Sequence, residues 1–459
     1  MLYDPGSYRD PAGRVVIKDE RVFRAIFEAG RKPFETALSA GVLERSIERS
    51  QLLGMEEAEA SVLTGLDPAP CFVIEHPRLD FISYPYEWSF SALRQAALFH
   101  LEFHLALLAD GFSLSDATAY NVQFRGTKPV FIDHLSIVPY HEGQPWIGQR
   151  QFTMQFLNPL LLWAKKGVAP NAWYRGGLEG IAPEDLLPLL SWRDKLSFTV
   201  LAHVVAQAKL QERAIKSAGD DSNPGRTLSR KGFEAILIGL RDYIAALSLP
   251  RLDTVWGDYE TNNSYDIDKR SAKHAFVARM VEQVRPRQLF DMGCNSGDYT
   301  QTALDHGAGN VVGFDFDFGA LELAFARFDK ARAPALPLWL DATNPSPGQG
   351  WAGAERKSFG QRAKADAMIA LAFIHHLAIA RNIPLDMAVD WLISLAPTGV
   401  IEFPDKGDAM VRKLLSTRED IFPDYTEEAF LAHVGARARI VESERIEGSN
   451  RLLLRYERS

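Results

Sequence analysis

Cysteine is nearly absent: Cys71 and Cys294 are the two in a chain of 459 residues. That excludes a disulfide framework and fits a reducing compartment, so the expected location is the cytoplasm. Positive charge is not in excess either. Lys and Arg number 51 against 59 Asp and Glu, a formal net charge of -8. A protein that binds nucleic acid over its whole surface is normally basic, so nucleic acid is not an expected partner. The longest apolar runs, residues 156–164 and 196–208, are broken by polar residues and fall short of the roughly 20 needed for a spanning helix, so no membrane span is expected. The first ten residues, MLYDPGSYRD, lack a basic segment and an apolar segment, so no signal peptide is read there. No repeat is visible at solenoid periods.

What is present is length and an ordinary globular composition, with 46% hydrophobic and 24% charged residues. This is too long for one core and comfortable for two domains. A polar, turn-rich stretch at 216–227 reads as a surface loop, and 235–247 as a helix that Pro250 ends. The boundary is expected near 245–255, giving domains 1–250 and 251–459. The second half alternates strand and helix patterns. Strands are expected at 287–292, 310–316, 336–340, 367–371 and 400–403, with helices at 299–305 and 320–330. A final antiparallel pair is expected at 437–441 and 451–456. Such alternation predicts an α/β fold with a parallel sheet covered on both faces. One connection is anomalous. Between Asp341 and Asp366 lie 24 residues rich in Pro, Gly and Arg, and so long a link is usually functional or disordered.

The segment LFDMGCNSGDY places Asp291, Gly293, Asn295 and Gly297 at alternate positions after a strand. Glycine there permits close backbone approach and positive φ, and the following helix offers unpaired N–H groups. A Gly-rich turn alone is weak evidence. Two later carboxylates add to it. Asp315 ends the second strand about 20 residues on, where an acid can accept ribose hydroxyls, and Asp317 is the alternative. Asp341 ends the third strand, where it would accept from an adenine amino group. The competing reading is that both acids cap turns. The spacing D-x-G-x-N-x-G resembles class I methyltransferases more than the G-x-G-x-x-G of dinucleotide-binding enzymes.

The fourth strand runs into LAFIHHL, with Leu371 at its end beside the cofactor and His375 and His376 beyond it. A histidine near neutral pKa can take a proton from a hydroxyl or amine, and His376 is the preferred base. Adjacent residues do not both point into one site, so the other His serves structure. Glu402, inside the apolar run IEFP, needs partners if buried. It is a candidate for substrate or metal contact, or for pairing with Arg356 or Arg362 from the long connection. Residues 256–265, WGDYETNNSY, are a candidate lid, with Lys273 and Phe276 following on a helix.

Taken together, DMGCNSGDYT, LDATNPSPGQGW, LAFIHHLAIARNIPL and IEFPDKGDAMVRKLL resemble a bacterial family of class I methyltransferases often labelled nodulation-protein-like. The resemblance extends upstream through SYPYEWSF, SDATAYNVQF and PVFIDHLSI. It implies a Rossmann-like, seven-stranded methyltransferase fold and S-adenosylmethionine as cofactor. It leaves the acceptor open, with a small molecule or glycan-type compound methylated on O or N as the expectation.

Upstream, Asp116 is followed five residues later by Asn121 and twelve after that by Asp133, at the end of PVFID. This spacing resembles a protein-kinase-like core, in which one Asp positions the substrate hydroxyl and the Asn and second Asp hold metal. The implied N-terminal domain is α+β and kinase-like, with residues 73–88 as its hinge. Asn121 and Asp133 are metal ligands only if that site is active; otherwise no metal is expected. The pattern departs from kinases at Leu114-Ser115-Asp116 and at His134-Leu135, and no glycine-rich loop precedes it. Lys18 is a candidate nucleotide lysine. A degenerate lobe that recognises substrate or regulates the methyltransferase by ordering it, a bifunctional enzyme, and a non-catalytic cofactor-binding protein remain the alternatives.

Overall fold

The computed structural model describes residues 2–209, 227–250 and 267–458. The expected loop at 216–227 (Thr227 excepted) and the lid at 256–265 lie outside the described residues. The chain divides into two compact units. The first comprises Met1–Phe124, Lys128–Arg251 and Gly348–Lys357; the second comprises Arg125–Thr127, Leu252–Pro347 and Ser358–Ser459. The anomalous connection is thus divided, its middle ten residues grouping with the first unit.

In the first unit β1 (Leu2–Tyr3), β2 (Gly13–Lys18), β3 (Arg21–Ile26), β4 (Glu56–Ala58) and β5 (Phe72–His76) form an antiparallel sheet in the order β1-β2-β3-β5-β4. A helix, Glu28–Ser39, follows β3. Val16, Phe23, Ala25 and Val73 pack together on one face of this sheet. The rest of the unit is mainly helical. Its longest helix, Phe90–Ala109, buries residues on nearly every side, as its apolar sequence demands. Ser89 caps it by accepting from the Ala92 N–H. Two short ribbons follow, β6 (Phe112–Leu114) with β9 (Ile137–Pro139), and β7 (Val122–Arg125) with β8 (Lys128–Phe131).

In the second unit β10 (Gln288–Met292), β11 (Asn310–Asp315), β12 (Ala335–Trp339), β13 (Ala367–Ala370), β14 (Thr398–Pro404), β15 (Arg439–Arg445) and β16 (Arg451–Glu457) make one seven-stranded sheet. The order is β12-β11-β10-β13-β14-β16-β15. β10 to β14 are parallel, and β16 pairs antiparallel with both β14 and β15. Every residue of β10, β13 and β14 is buried, which explains why these strands read as continuous apolar runs rather than alternating ones. The helix Ile267–Val284 supplies Phe276, Val277, Met280 and Val281 to a core shared with Leu289, Val311, Ile369, Val400 and Leu453. Each such fully buried side chain contributes on the order of 1.5–3 kcal/mol.

The order reverses between β10 and β13. Strands added after β10 build outward through β11 to β12, and later ones build the other way from β13. Ligands of open α/β sheets bind at the carboxyl ends of strands beside such a switch. The Gly-rich turn leaves β10 there.

Glycine at 313 allows that turn to fold back. A Cβ on it would lie 2.9 Å from both Cβ and Sγ of Cys294. Gly313→Ala is therefore expected to destabilise the fold by roughly 1–3 kcal/mol through overpacking. A thermal melt that drops by several degrees is the expected result, and an unchanged melt would show that the turn relaxes freely.

Candidate cofactor and active site

The turn after β10 is built from backbone hydrogen bonds. Gly293 and Cys294 both donate to the Phe314 carbonyl, at 2.8 and 3.0 Å, and the Gly297 N–H reaches the Cys294 carbonyl at 2.8 Å. Gly293 and Gly297 have φ of 81° and 84°, and Asn295 has 48°. Left-handed backbone costs a residue with a Cβ roughly 1–2 kcal/mol, which explains glycine at two positions and Asn at the third. Space adds to the constraint. A Cβ on Gly293 would meet the Phe373 ring at 2.9 Å, and one on Gly297 would meet Phe328 at 2.4 Å. Gly297 is also the N-cap of the helix Asp298–Asp305.

The acids converge on this turn. Asp315 accepts the Asn295 N–H on one oxygen and the Asp317 N–H on the other, both at 2.8 Å. Each oxygen keeps a lone pair for a further donor. Burial raises the Asp315 pKa against these two hydrogen bonds. Asp317 is the N-cap of the helix Phe318–Ala331, accepting from Gly319 and Ala320 at 2.7 and 3.1 Å. The structure therefore separates the two acids by role, with Asp317 a cap. Beside them the Phe318 and Trp339 rings stack with centroids 5.7 Å apart. Asp341 follows β12 and holds a turn, one oxygen accepting the Thr343 N–H at 3.0 Å and its hydroxyl at 2.6 Å.

Asp291 is buried at the end of β10 and accepts from the Thr300 hydroxyl at 2.6 Å. Burial, with the charge of Asp315, pushes its pKa up to about 7. Five carboxylates, Asp291, Asp298, Asp315, Asp317 and Asp341, thus lie along the strand ends from β10 to β12. Asp298 is neutralised by Arg270 at 2.5 Å.

Leu371 follows β13 and is buried. Ala372 takes φ of 50° and donates its N–H to Glu402 at 2.5 Å. Glu402, within β14, is fully buried and pairs with Lys273 at 2.6 Å and Arg451 at 3.2 Å. Burial alone would raise its pKa, but the two cations hold it below the ordinary carboxylate value. Neither expected arginine reaches it. The Arg356 guanidinium lies 4.2 Å from the Tyr120 ring centroid, within the first unit, and Arg362 donates to the Ser346 hydroxyl. In sequence Lys273 reads only as a helix residue following the candidate lid, and Arg451 as an ordinary residue at the start of the last strand.

The two histidines differ. His375 is completely buried, and burial, with His376 and Arg451, lowers its pKa to about 3. His376 is half-buried at the start of the short π-helical turn His376–Ala380, and burial followed by Arg451 lowers its pKa below the usual value.

In the first unit the residues spaced like a kinase core do meet. The Asn121 amide donates to Asp116 and to Asp133, each at 3.3 Å. Asp133 also takes Arg24 at 2.8 Å, the Leu135 N–H at 3.3 Å and the Ser136 hydroxyl. Burial and the charge of Asp133 raise the pKa of Asp116. Lys18 is not part of this cluster, because its Nζ donates to the Val62 carbonyl at 2.9 Å. Arg24, on β3, is the basic residue that pairs with Asp133; in RVFRAI it reads as an ordinary strand residue. Among the described residues no group of three or more His, Cys, Asp or Glu is arranged to hold a metal ion.

Asp291 sets a pH test. Its folded pKa lies above its ordinary value, so the stability it contributes is fully present below about pH 4 and is lost as pH rises through about 7. Asp291→Asn keeps an acceptor for Thr300 and removes that loss. Its melting temperature is expected to exceed wild type by several degrees at pH 8, with the gap narrowing towards pH 5. A gap independent of pH would disprove the assignment.

No protein-family model matches the chain. Among solved structures it is similar over part of its length to the N-methyltransferase NodS from Bradyrhizobium japonicum WM9, with 14% identity and a TM-score of 0.31, covering 43% of this chain and 99% of that one. It is similar also to the magnesium protoporphyrin IX methyltransferase ChlM from Synechocystis PCC 6803, with 16% identity and a TM-score of 0.30, covering 46% of this chain and 87% of that one. The nodulation protein NoeA of Rhizobium meliloti (strain 1021) is 45% identical over 457 residues, covering 99% of this chain and 96% of its own length. The chain belongs to the family of nodulation protein NoeA.

Proposed function

We propose that the chain is an S-adenosylmethionine-dependent methyltransferase whose second unit binds the cofactor at the carboxyl ends of β10 to β12. The observation that carries this reading is the charge of the turn. Asp291 and Asp315 flank it, and Asp341 follows at the next strand end. A dinucleotide pyrophosphate would meet like charge there. A ligand with a ribose diol, an ammonium group and a sulfonium fits instead. S-Adenosylmethionine supplies an electrophilic methyl group on that sulfonium. Asp315 accepts the ribose hydroxyls with its remaining lone pairs. Asp291 faces the cationic methionine end, where a positive ligand favours its ionised form. Gly293 and Gly297 keep side chains off the approach, Asn295 lines the turn between them, Asp341 accepts from the adenine amino group, and Leu371 closes the site beside it.

The acceptor is a small molecule or glycan-type compound methylated on O or N. NodS is described as an N-methyltransferase and ChlM as a methyltransferase of magnesium protoporphyrin IX. Of the two histidines, His376 is the base. It is half-buried, and its lowered pKa leaves it neutral at pH 7 and able to take a proton. His375 is a core residue. Calorimetry with S-adenosylhomocysteine tests the site: Asp315→Ala is expected to weaken binding roughly 10- to 100-fold, the loss of hydrogen bonds to a charged acceptor. Undiminished binding would remove the ribose assignment. His376→Asn is expected to slow incorporation of labelled methyl groups into cell-extract components by about 10²-fold or more if the acceptor is a hydroxyl. Absence of any transfer by the folded wild type would favour a non-catalytic cofactor-binding protein.

The first unit is read as a kinase-like lobe, covering about residues 1–250, that recognises the acceptor rather than phosphorylating it. Support comes from Asp116, Asn121 and Asp133 lying in hydrogen-bond contact, with Asp133 paired to Arg24 of the antiparallel sheet. Against phosphoryl transfer, Arg24, Leu135, Ser136 and Asn121 together occupy the acceptor positions of Asp133. Addition of ATP and Mg²⁺ is expected to leave the melting temperature unchanged. A dose-dependent rise would favour the bifunctional kinase and methyltransferase.

A further inference from the structure

The 371–373 turn takes a conformation that its own sequence disfavours. Ala372 sits at φ 50°, where a Cβ crowds the backbone, yet the position holds no glycine. Its N–H is clasped by one oxygen of Glu402 at 2.5 Å. The other oxygen receives Lys273 from the helix Ile267–Val284 at 2.6 Å and Arg451 from β16 at 3.2 Å. Arg451 continues to Asp408 through bonds of 2.8 and 3.1 Å. Two cations and two carboxylates therefore balance, and the fully buried Glu402 is spent on contacts within the protein. The next residue, Phe373, is the one a Cβ on Gly293 would strike, at 2.9 Å.

We infer that Glu402 is a positioning residue: it clasps the Ala372 amide, fixes Phe373 against the Gly293 turn, and so sets cofactor affinity instead of exchanging a proton with substrate. The inference deepens the cofactor reading above and rests on it for its effect on affinity. A charge-assisted bond from the backbone amide to a buried carboxylate holds a left-handed alanine that would otherwise relax. Lys273 and Arg451 keep the carboxylate anionic throughout the physiological range.

The test uses the full chain and two readouts. Hydrogen exchange of peptides covering 371–374 needs no cofactor, and these amides are expected to exchange at least tenfold faster in Glu402→Ala. Affinity for S-adenosylhomocysteine is expected to fall at least tenfold in the same variant. Adding Ala372→Gly to Glu402→Ala is expected to recover most of that loss, because glycine takes the left-handed conformation without a clasp. A purely structural defect would not be rescued in this way. If Glu402→Ala does not fold, Lys273→Met removes one of the two cations that hold the carboxylate in place and so loosens the clasp, and at least threefold faster exchange at 371–374 is expected. Unchanged exchange at 371–374 in a folded variant overturns the inference, as does a loss of affinity that Ala372→Gly does not recover. Failure of the wild type itself to bind S-adenosylhomocysteine would strike the cofactor reading, while exchange would still decide the clasp.

Discussion

Two amides share one carbonyl at the heart of the second unit. The Phe314 oxygen accepts from both Gly293 and Cys294, so the end of β10 is tied to the end of β11 before any side chain takes part. The Phe314 ring packs edge-on against Phe290 and Phe359, at 5.3 Å each. The glycines follow from that tie rather than from flexibility in general. With the turn folded back in this way, Cys294 leaves no room for a Cβ at 313, and the Phe328 ring leaves none at 297. The acids follow as well, since Asp315 reaches the Asn295 amide only because the two strand ends are locked in register.

Charge is organised differently at the two sides of the switch. Towards β12, carboxylates accept backbone amides and keep lone pairs to spare, a surface suited to hydroxyl and ammonium donors. Towards β14, the buried carboxylate is consumed by lysine and arginine. Burial of an uncompensated ion is expensive, and removing one partner of such a network leaves the other exposed to that cost. The first arrangement leaves acceptor capacity at the strand ends, and the second is used up within the protein.

Much of this was legible in the sequence because it depends on local order. Continuous apolar runs, the glycine spacing and acids at strand ends are all carried by neighbours in the chain, and β10, β11 and β13 lie within a residue or two of their expected positions. What could not be read depends on which distant residues meet. Glu402 was recognisable as an anomaly inside β14, but its partners come from 129 residues earlier and 49 later (402 − 273 and 451 − 402). Arg356 and Arg362 were plausible by composition and are engaged elsewhere. In the first unit the 116–121–133 spacing announced a cluster, whereas Arg24 completes it from a strand whose sequence marks it in no way.

Residues Gly348–Lys357 have a consequence for how such a protein can change over time. They lie in the chain between β12 and β13 yet group with the first unit, where Glu355 accepts from Arg9, Lys357 donates to Asp4 and Gln349 donates to the Arg175 carbonyl. A cut or crossover near residue 250 would separate two pieces of which the first lacks these ten residues. The halves are consequently not free modules for recombination. Each unit's gene segment carries a part of the other's packing, so the two are expected to be inherited and to diverge as a pair.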